Sequence, residues 1–87
     1  MFTGIIEEVG RLAALELGPA GGRLRVEAHS VLGRLTAGAS IAVNGVCLTV
    51  TSLADGAFLA DLSQETLERT SFRALKPGRE LNLELPP

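Results

Sequence analysis

Apolar and polar residues alternate with period two along much of this chain. Between residues 23 and 28, Leu24, Val26 and Ala28 face one way and Arg23, Arg25 and Glu27 the other. Between residues 80 and 85, Leu81, Leu83 and Leu85 stand against Glu80, Asn82 and Glu84. Val46 to Leu53 is rich in β-branched residues and follows Asn44-Gly45, a pair that accepts the positive φ angles of a type I′ hairpin turn. Asp55-Gly56 is a second hairpin signal, and Gly18-Pro19-Ala20-Gly21-Gly22 and Lys76-Pro77-Gly78 are further turns. These breaks predict six strands: Ile5–Leu15, Arg23–Ala28, Ser40–Val43, Val46–Leu53, Ala57–Leu62 and Glu80–Leu85.

Two short helical segments fit between the strands. One covers Ser30–Leu35, with Ser30 as its cap; the other covers Gln64–Thr70, with Ser63 as N-cap and Glu65 and Glu68 near its start. Short strands at even spacing with an odd helical turn predict an all-β fold, a small barrel or sandwich. A closed barrel is favoured, because one small open sheet would leave two edges unpaired. No internal repeat, linker or low-complexity stretch is visible in the 87 residues, so we expect one domain over residues 1–87.

Composition narrows the class. At 46% hydrophobic the chain is too apolar for disorder, and with no Trp, no Tyr and three Phe the core must be aliphatic. The eight basic residues are scattered and the net charge is −2, so no nucleic-acid surface is expected. One Cys and one His exclude a disulfide framework and a zinc cluster, so no metal site is expected. No apolar run is long enough for a helical membrane span, and Met1-Phe2-Thr3-Gly4 has no basic start, so the expectation is a cytoplasmic protein without a signal peptide.

Few residues offer chemistry. A reactive thiol needs a nearby cation or helix start, and nothing adjacent to Cys47 supplies one, so its neighbours alone favour a buried, inert cysteine. His29, alone at a strand end, is expected to be structural or solvated. Asp61-Leu62-Ser63-Gln64-Glu65-Thr66 puts polar side chains and helix-start amides at a strand-to-helix junction, which suits either a polar ligand or an ordinary helix cap. Thr49 and Thr51 share a strand face with Cys47, a stripe that either lines a pocket or faces solvent.

Four stretches carry a family resemblance. Met1-Phe2-Thr3-Gly4-Ile5-Ile6 resembles the opening of riboflavin synthases. Gly38-Ala39-Ser40-Ile41-Ala42-Val43-Asn44-Gly45-Val46-Cys47-Leu48-Thr49-Val50 is similar to a central stretch of that family. So are Phe58 with Asp61-Leu62 and Glu65-Thr66-Leu67-Glu68-Arg69-Thr70, and Leu75-Lys76-Pro77-Gly78 with Leu81-Asn82-Leu83-Glu84. Together they cover nearly the whole chain, in family order.

The resemblance implies a six-stranded antiparallel Greek-key barrel that binds one 6,7-dimethyl-8-ribityllumazine, or riboflavin. It implies a family chain of two such barrels, of which this is the N-terminal one, that dismutates two lumazines by four-carbon transfer. The products are riboflavin and 5-amino-6-(ribitylamino)uracil, and neither a metal nor an organic cofactor is needed. Substrate contacts carried over by motif are Gly4, Ile5, Ile6, Cys47, Leu48, Thr49, Asp61, Leu62, Ser63, Gln64, Glu65 and Thr66. Thr49, Ser63, Glu65 and Thr66 would bond the ribityl hydroxyls, and backbone groups of these stretches would read the pyrimidine edge. Ser40 and Cys47 match positions near the reacting carbons, with Cys47 aiding addition or proton transfer rather than forming an obligatory covalent bond. The family's second barrel and its junction histidines do not follow Leu85-Pro86-Pro87, so the expectation is either an N-terminal half or a natural single barrel. The expected partner is a second homologous barrel: a C-terminal half, in a trimer of full-length chains, or another copy in a dimer. The alternative from another class is a carrier that holds lumazine or flavin without turning it over.

Overall fold

The six strands close on themselves. In the computed structural model, which describes residues 4–87, they are β1 (Glu8–Gly18), β2 (Gly21–Glu27), β3 (Ser40–Val43), β4 (Val46–Ala54), β5 (Ala57–Ser63) and β6 (Glu80–Glu84). All pairings are antiparallel, and the order around the barrel is β1-β2-β5-β4-β3-β6. The hairpin-linked run β3-β4-β5, with β6 returning beside β3, is the expected Greek key. The predicted hairpin turns form: Asn44 and Gly45 have φ of 49° and 82°, and Asp55 and Gly56 of 55° and 74°, both pairs in the left-handed region a type I′ turn requires.

Five strands lie within about one or two residues of their predicted bounds, and β1 is displaced. It was expected over Ile5–Leu15 and runs from Glu8 to Gly18. Pairing with β2 continues to Gly18 opposite Gly21, which leaves a two-residue loop of Pro19 and Ala20. A bulge at Ala13 also interrupts β1, so its inward residues change parity from Gly10 and Leu12 to Leu15. Strict alternation could not carry a strand through that break. Leu24, Val26, Ile41, Val50, Phe58 and Leu83, each no more than 1% exposed, are among the buried residues of a core that is mainly aliphatic, with Phe58 and Phe72 in it.

Short helical turns cover the two ends. Ser30–Arg34 follows β2 as a 3₁₀ turn and buries Val31. At the other end α1 (Gln64–Arg69) follows β5 and buries Leu67. A second 3₁₀ turn, Phe72–Ala74, was not expected and buries Phe72. Ser63 is the N-cap as predicted: its hydroxyl accepts the Thr66 N–H at 3.0 Å. Ser30 is not a cap. The cap position is His29, and the capping acceptor is the distant Glu8 carboxylate on β1. It accepts the N–H of His29 at 2.7 Å, the N–H of Val31 at 3.0 Å and the Ser30 hydroxyl at 3.2 Å. Partial burial pushes the Glu8 carboxyl up, but these three bonds and the charge of His29 outweigh it and hold it below its ordinary value.

Candidate functional site

The barrel wall opens between β4 and β5. Their ladder runs from Ala54–Ala57 to Val50–Ala60 and ends there. Continued in register it would set Thr49 against Asp61 and Cys47 against Ser63. Instead residues 46–49 pair only with β3, and residues 61–63 only with β2. A bulge at Thr51, whose hydroxyl donates to the Leu59 carbonyl at 3.2 Å, twists β4 just before the parting. The Val50 N–H donates to the Ala39 carbonyl at 2.9 Å and the Val50 carbonyl accepts the Gly38 N–H at 2.8 Å, so by strand alternation the backbone groups of Thr49 face the opening.

A cleft of about 770 Å³ occupies this seam. Cys47, Leu48 and Thr49 form one bank, and Asp61, Leu62, Ser63 and Thr66 the other. Seven of the twelve expected substrate contacts therefore meet in one place. The β1–β2 hairpin, residues 16–23, closes the third side and was not anticipated as part of a site. Its paired glycines are the signal that was available. A Cβ on Gly21, where φ is 147°, would run into the Leu62 carbonyl oxygen, and one on Gly22 would come within 2.8 Å of the Glu16 carbonyl oxygen. Only glycine lets the hairpin lie this close to the end of β5.

The remaining expected residues lie elsewhere. Gln64 and Glu65 are exposed on α1 and do not line the cleft. The Gly4 N–H donates to the Glu84 carboxylate on β6 at 2.7 Å, which ties residue 4 to the β6 side of the barrel. Ile5 and Ile6, 67% and 51% exposed, do not line the cleft either. Met1, Phe2 and Thr3 of the opening motif lie outside the described residues. Ser40 is the register partner of Thr49, but it lines a separate groove of about 290 Å³ with Arg34, Leu35, Ala39, Leu85 and Pro86.

Cys47 is not buried. Val46, Leu48 and Val50 point inward, so alternation turns Cys47 and Thr49 outward, into the cleft. The charged residues of the lining are Glu16, Arg23 and Asp61, and the Arg23 Nε donates to Asp61 Oδ1 at 3.0 Å. The bland expectation for His29 holds, since it is exposed and donates only its backbone N–H to Glu8. Among the described residues no three His, Cys, Asp or Glu side chains come together as a metal site, and no helix is long and apolar enough to cross a membrane. The lining can therefore offer hydroxyls, one thiol, one ion pair and free strand backbone: a set suited to binding a ring with amide-like edges and a polyol chain.

The family model described as the lumazine binding domain matches residues 3–86. The chain belongs to the lumazine-binding domain family. Riboflavin synthase from Actinobacillus pleuropneumoniae is 49% identical over 84 residues, covering 97% of this chain and 39% of the relative. Riboflavin synthase from Mycobacterium bovis is 47% identical over 85 residues, covering 97% of this chain and 42% of the relative. This chain thus spans about two fifths of the length of the curated relatives it matches. Among solved structures, LumP complexed with flavin mononucleotide superposes with a TM-score of 0.94 at 28% identity, covering 100% of this chain and 50% of that one. LumP complexed with 6,7-dimethyl-8-(1'-D-ribityl) lumazine superposes with a TM-score of 0.93 at 27% identity, covering 100% and 48%.

Proposed function

We propose that this barrel binds one molecule of 6,7-dimethyl-8-ribityllumazine, or riboflavin, in the β4–β5 seam as one half of a riboflavin synthase site. The observation that carries the reading is the meeting of residues 47–49 with residues 61–63 and 66, from two separate family stretches, on opposite banks of one cleft. The free backbone of Thr49 reads the pyrimidine edge as a neighbouring strand would. Thr49, Ser63 and Thr66 hydroxyls hold the ribityl chain. Identity of 47–49% to riboflavin synthases favours the enzyme over a carrier.

One barrel offers one such cleft, and the dismutation joins two identical substrates. A second homologous barrel must therefore bring the other ring to near-attack distance, where positioning supplies much of the rate. In that arrangement the exposed Ile5 and Ile6 serve the facing barrel's ligand rather than their own. Cys47 lies against the ring and aids addition or proton transfer, while Ser40, one groove away, acts only when the partner closes the site. One lumazine gives up a four-carbon unit and leaves as 5-amino-6-(ribitylamino)uracil, and the other keeps it as riboflavin. All atoms come from the two lumazines, and the family resemblance implies neither metal nor organic cofactor. We place the protein in the cytoplasm as part of an oligomer, a dimer of single barrels or a trimer of two-barrel chains.

Titrating riboflavin while following its fluorescence anisotropy tests this reading. The chain has no Trp and no Tyr, so protein emission does not interfere. Saturable binding at one ligand per barrel is expected, and anisotropy that stays flat overturns it. Incubation with the lumazine then separates the classes: riboflavin formed by a two-barrel chain marks the enzyme, and binding without turnover in that chain marks a carrier.

A further inference from the structure

Three charged residues stand in a row across the cleft wall. Glu16 on β1 is the register partner of Arg23 on β2, and Arg23 is the register partner of Asp61 on β5. Residues directly opposite on neighbouring antiparallel strands share a face, and all three line the cleft. The cation is therefore flanked by an anion on each side, and its Nε is already committed to Asp61 at 3.0 Å. The row carries a net charge of −1. No other charged side chain lines the cleft among the described residues. Arg25 stands beside Glu16 and Arg23 in an adjoining groove, outside the cleft lining, and on α1 Arg69 is engaged by Glu65 at 3.3 Å.

We propose that the Glu16–Arg23–Asp61 row makes this cleft select a ligand with an uncharged ribityl chain over the same ligand carrying a 5′-phosphate. The inference rests on the ligand reading above and adds a specificity determinant to it. A phosphate monoester brings a charge of about −1.5 to −2 at neutral pH. The row is itself part of the cleft wall, so a phosphate seated against it lies within one Debye length, about 10 Å at 0.1 M salt. The ion pair itself is exposed and adds little stability. Its consequence is electrostatic: the Arg23 charge is already offset by Asp61 at 3.0 Å, and with Glu16 the lining is left net negative. Coulomb repulsion between a doubly charged phosphate and a net −1 at about 8 Å in water corresponds to about a fivefold loss of affinity.

The test is the ratio of the flavin mononucleotide Kd to the riboflavin Kd, measured by anisotropy at low salt. The two probes share the ring and ribityl chain, so the ratio cancels what a substitution does to those common contacts. The expected ratio is about five in the native protein, about one in both Asp61→Asn and Glu16→Gln, and about twenty-five in Arg23→Gln. High salt should bring the native ratio toward one. A native protein that binds flavin mononucleotide as tightly as riboflavin, or more tightly, overturns the selectivity. So does a native ratio that Asp61→Asn and Glu16→Gln leave unchanged. Failure to bind either probe overturns the ligand reading itself, and the selectivity with it.

Discussion

Glu8 ties the start of the barrel to the turn that covers one end, and its removal has a calculable cost. Its two carboxylate oxygens accept three donors, two of them backbone N–H groups at the beginning of the Ser30–Arg34 turn. A hydrogen bond to a charged acceptor contributes about 1.5–3 kcal/mol where shielded, a neutral one about 0.5–1.5. Glu8→Gln keeps a single carbonyl acceptor and sets an NH₂ group against the remaining donors. For a half-exposed site we take the low end and expect a loss of about 1–2 kcal/mol at pH 7. In a domain this small that lowers Tm by about 4–16 °C. The pH dependence has a definite sign. The carboxyl is held below its ordinary value in the folded state, so its contribution is complete above the ordinary carboxylate range. It is lost as pH falls through the depressed folded value. The gap between native protein and Glu8→Gln in urea denaturation should therefore be full at pH 7 and shrink toward zero in strong acid. Glu80→Gln is the control: Glu80 is exposed, 3.7 Å from Arg11, and its loss should cost under about 0.5 kcal/mol. A Glu8→Gln protein as stable as the native one at pH 7, or a gap that does not change on acidification, would refute the capping account.

Three other outcomes follow from the same geometry. Gly21→Ala should lower stability by about 1–3 kcal/mol in urea denaturation and weaken riboflavin binding, because the new Cβ drives the hairpin away from the Leu62 carbonyl. Ser63→Ala should cost about 1 kcal/mol by the same assay, since it removes the acceptor for the Thr66 N–H, and should also reduce riboflavin affinity. Cys47 should react with a thiol reagent in the native state nearly as fast as in denaturant, and saturating riboflavin should slow only the native reaction.

The parts of the fold that local chemistry decides were legible in the sequence. Asn44-Gly45 and Asp55-Gly56 forecast their turns because few other residues tolerate consecutive positive φ angles. Ser63 forecast the start of α1 because its hydroxyl satisfies an amide three residues on. What long-range register decides was not legible. The bulge at Ala13 is defined only by β2, and it shifted β1. The Glu8 cap spans 21 to 23 residues, so the eye settles on the adjacent Ser30. The cleft exists because β4 and β5 stop pairing at Val50–Ala60, and no residue type announces a pairing that does not occur. Family motifs brought residues 47–49 and 61–66 to attention, but only the parting of the strands explains why they face one another. The hairpin wall went unanticipated because Gly21-Gly22 was read only as a turn, although the pair also marks close approach to β5.

The central claim is that the seam between β4 and β5 holds the ligand. Amide chemical-shift mapping on adding riboflavin tests it most directly, since each bank of the cleft reports separately. The account predicts that the largest changes fall on residues 47–49, 61–66 and the hairpin 16–23. Changes centred instead on Arg34, Ser40 and Leu85, around the separate groove, would contradict it.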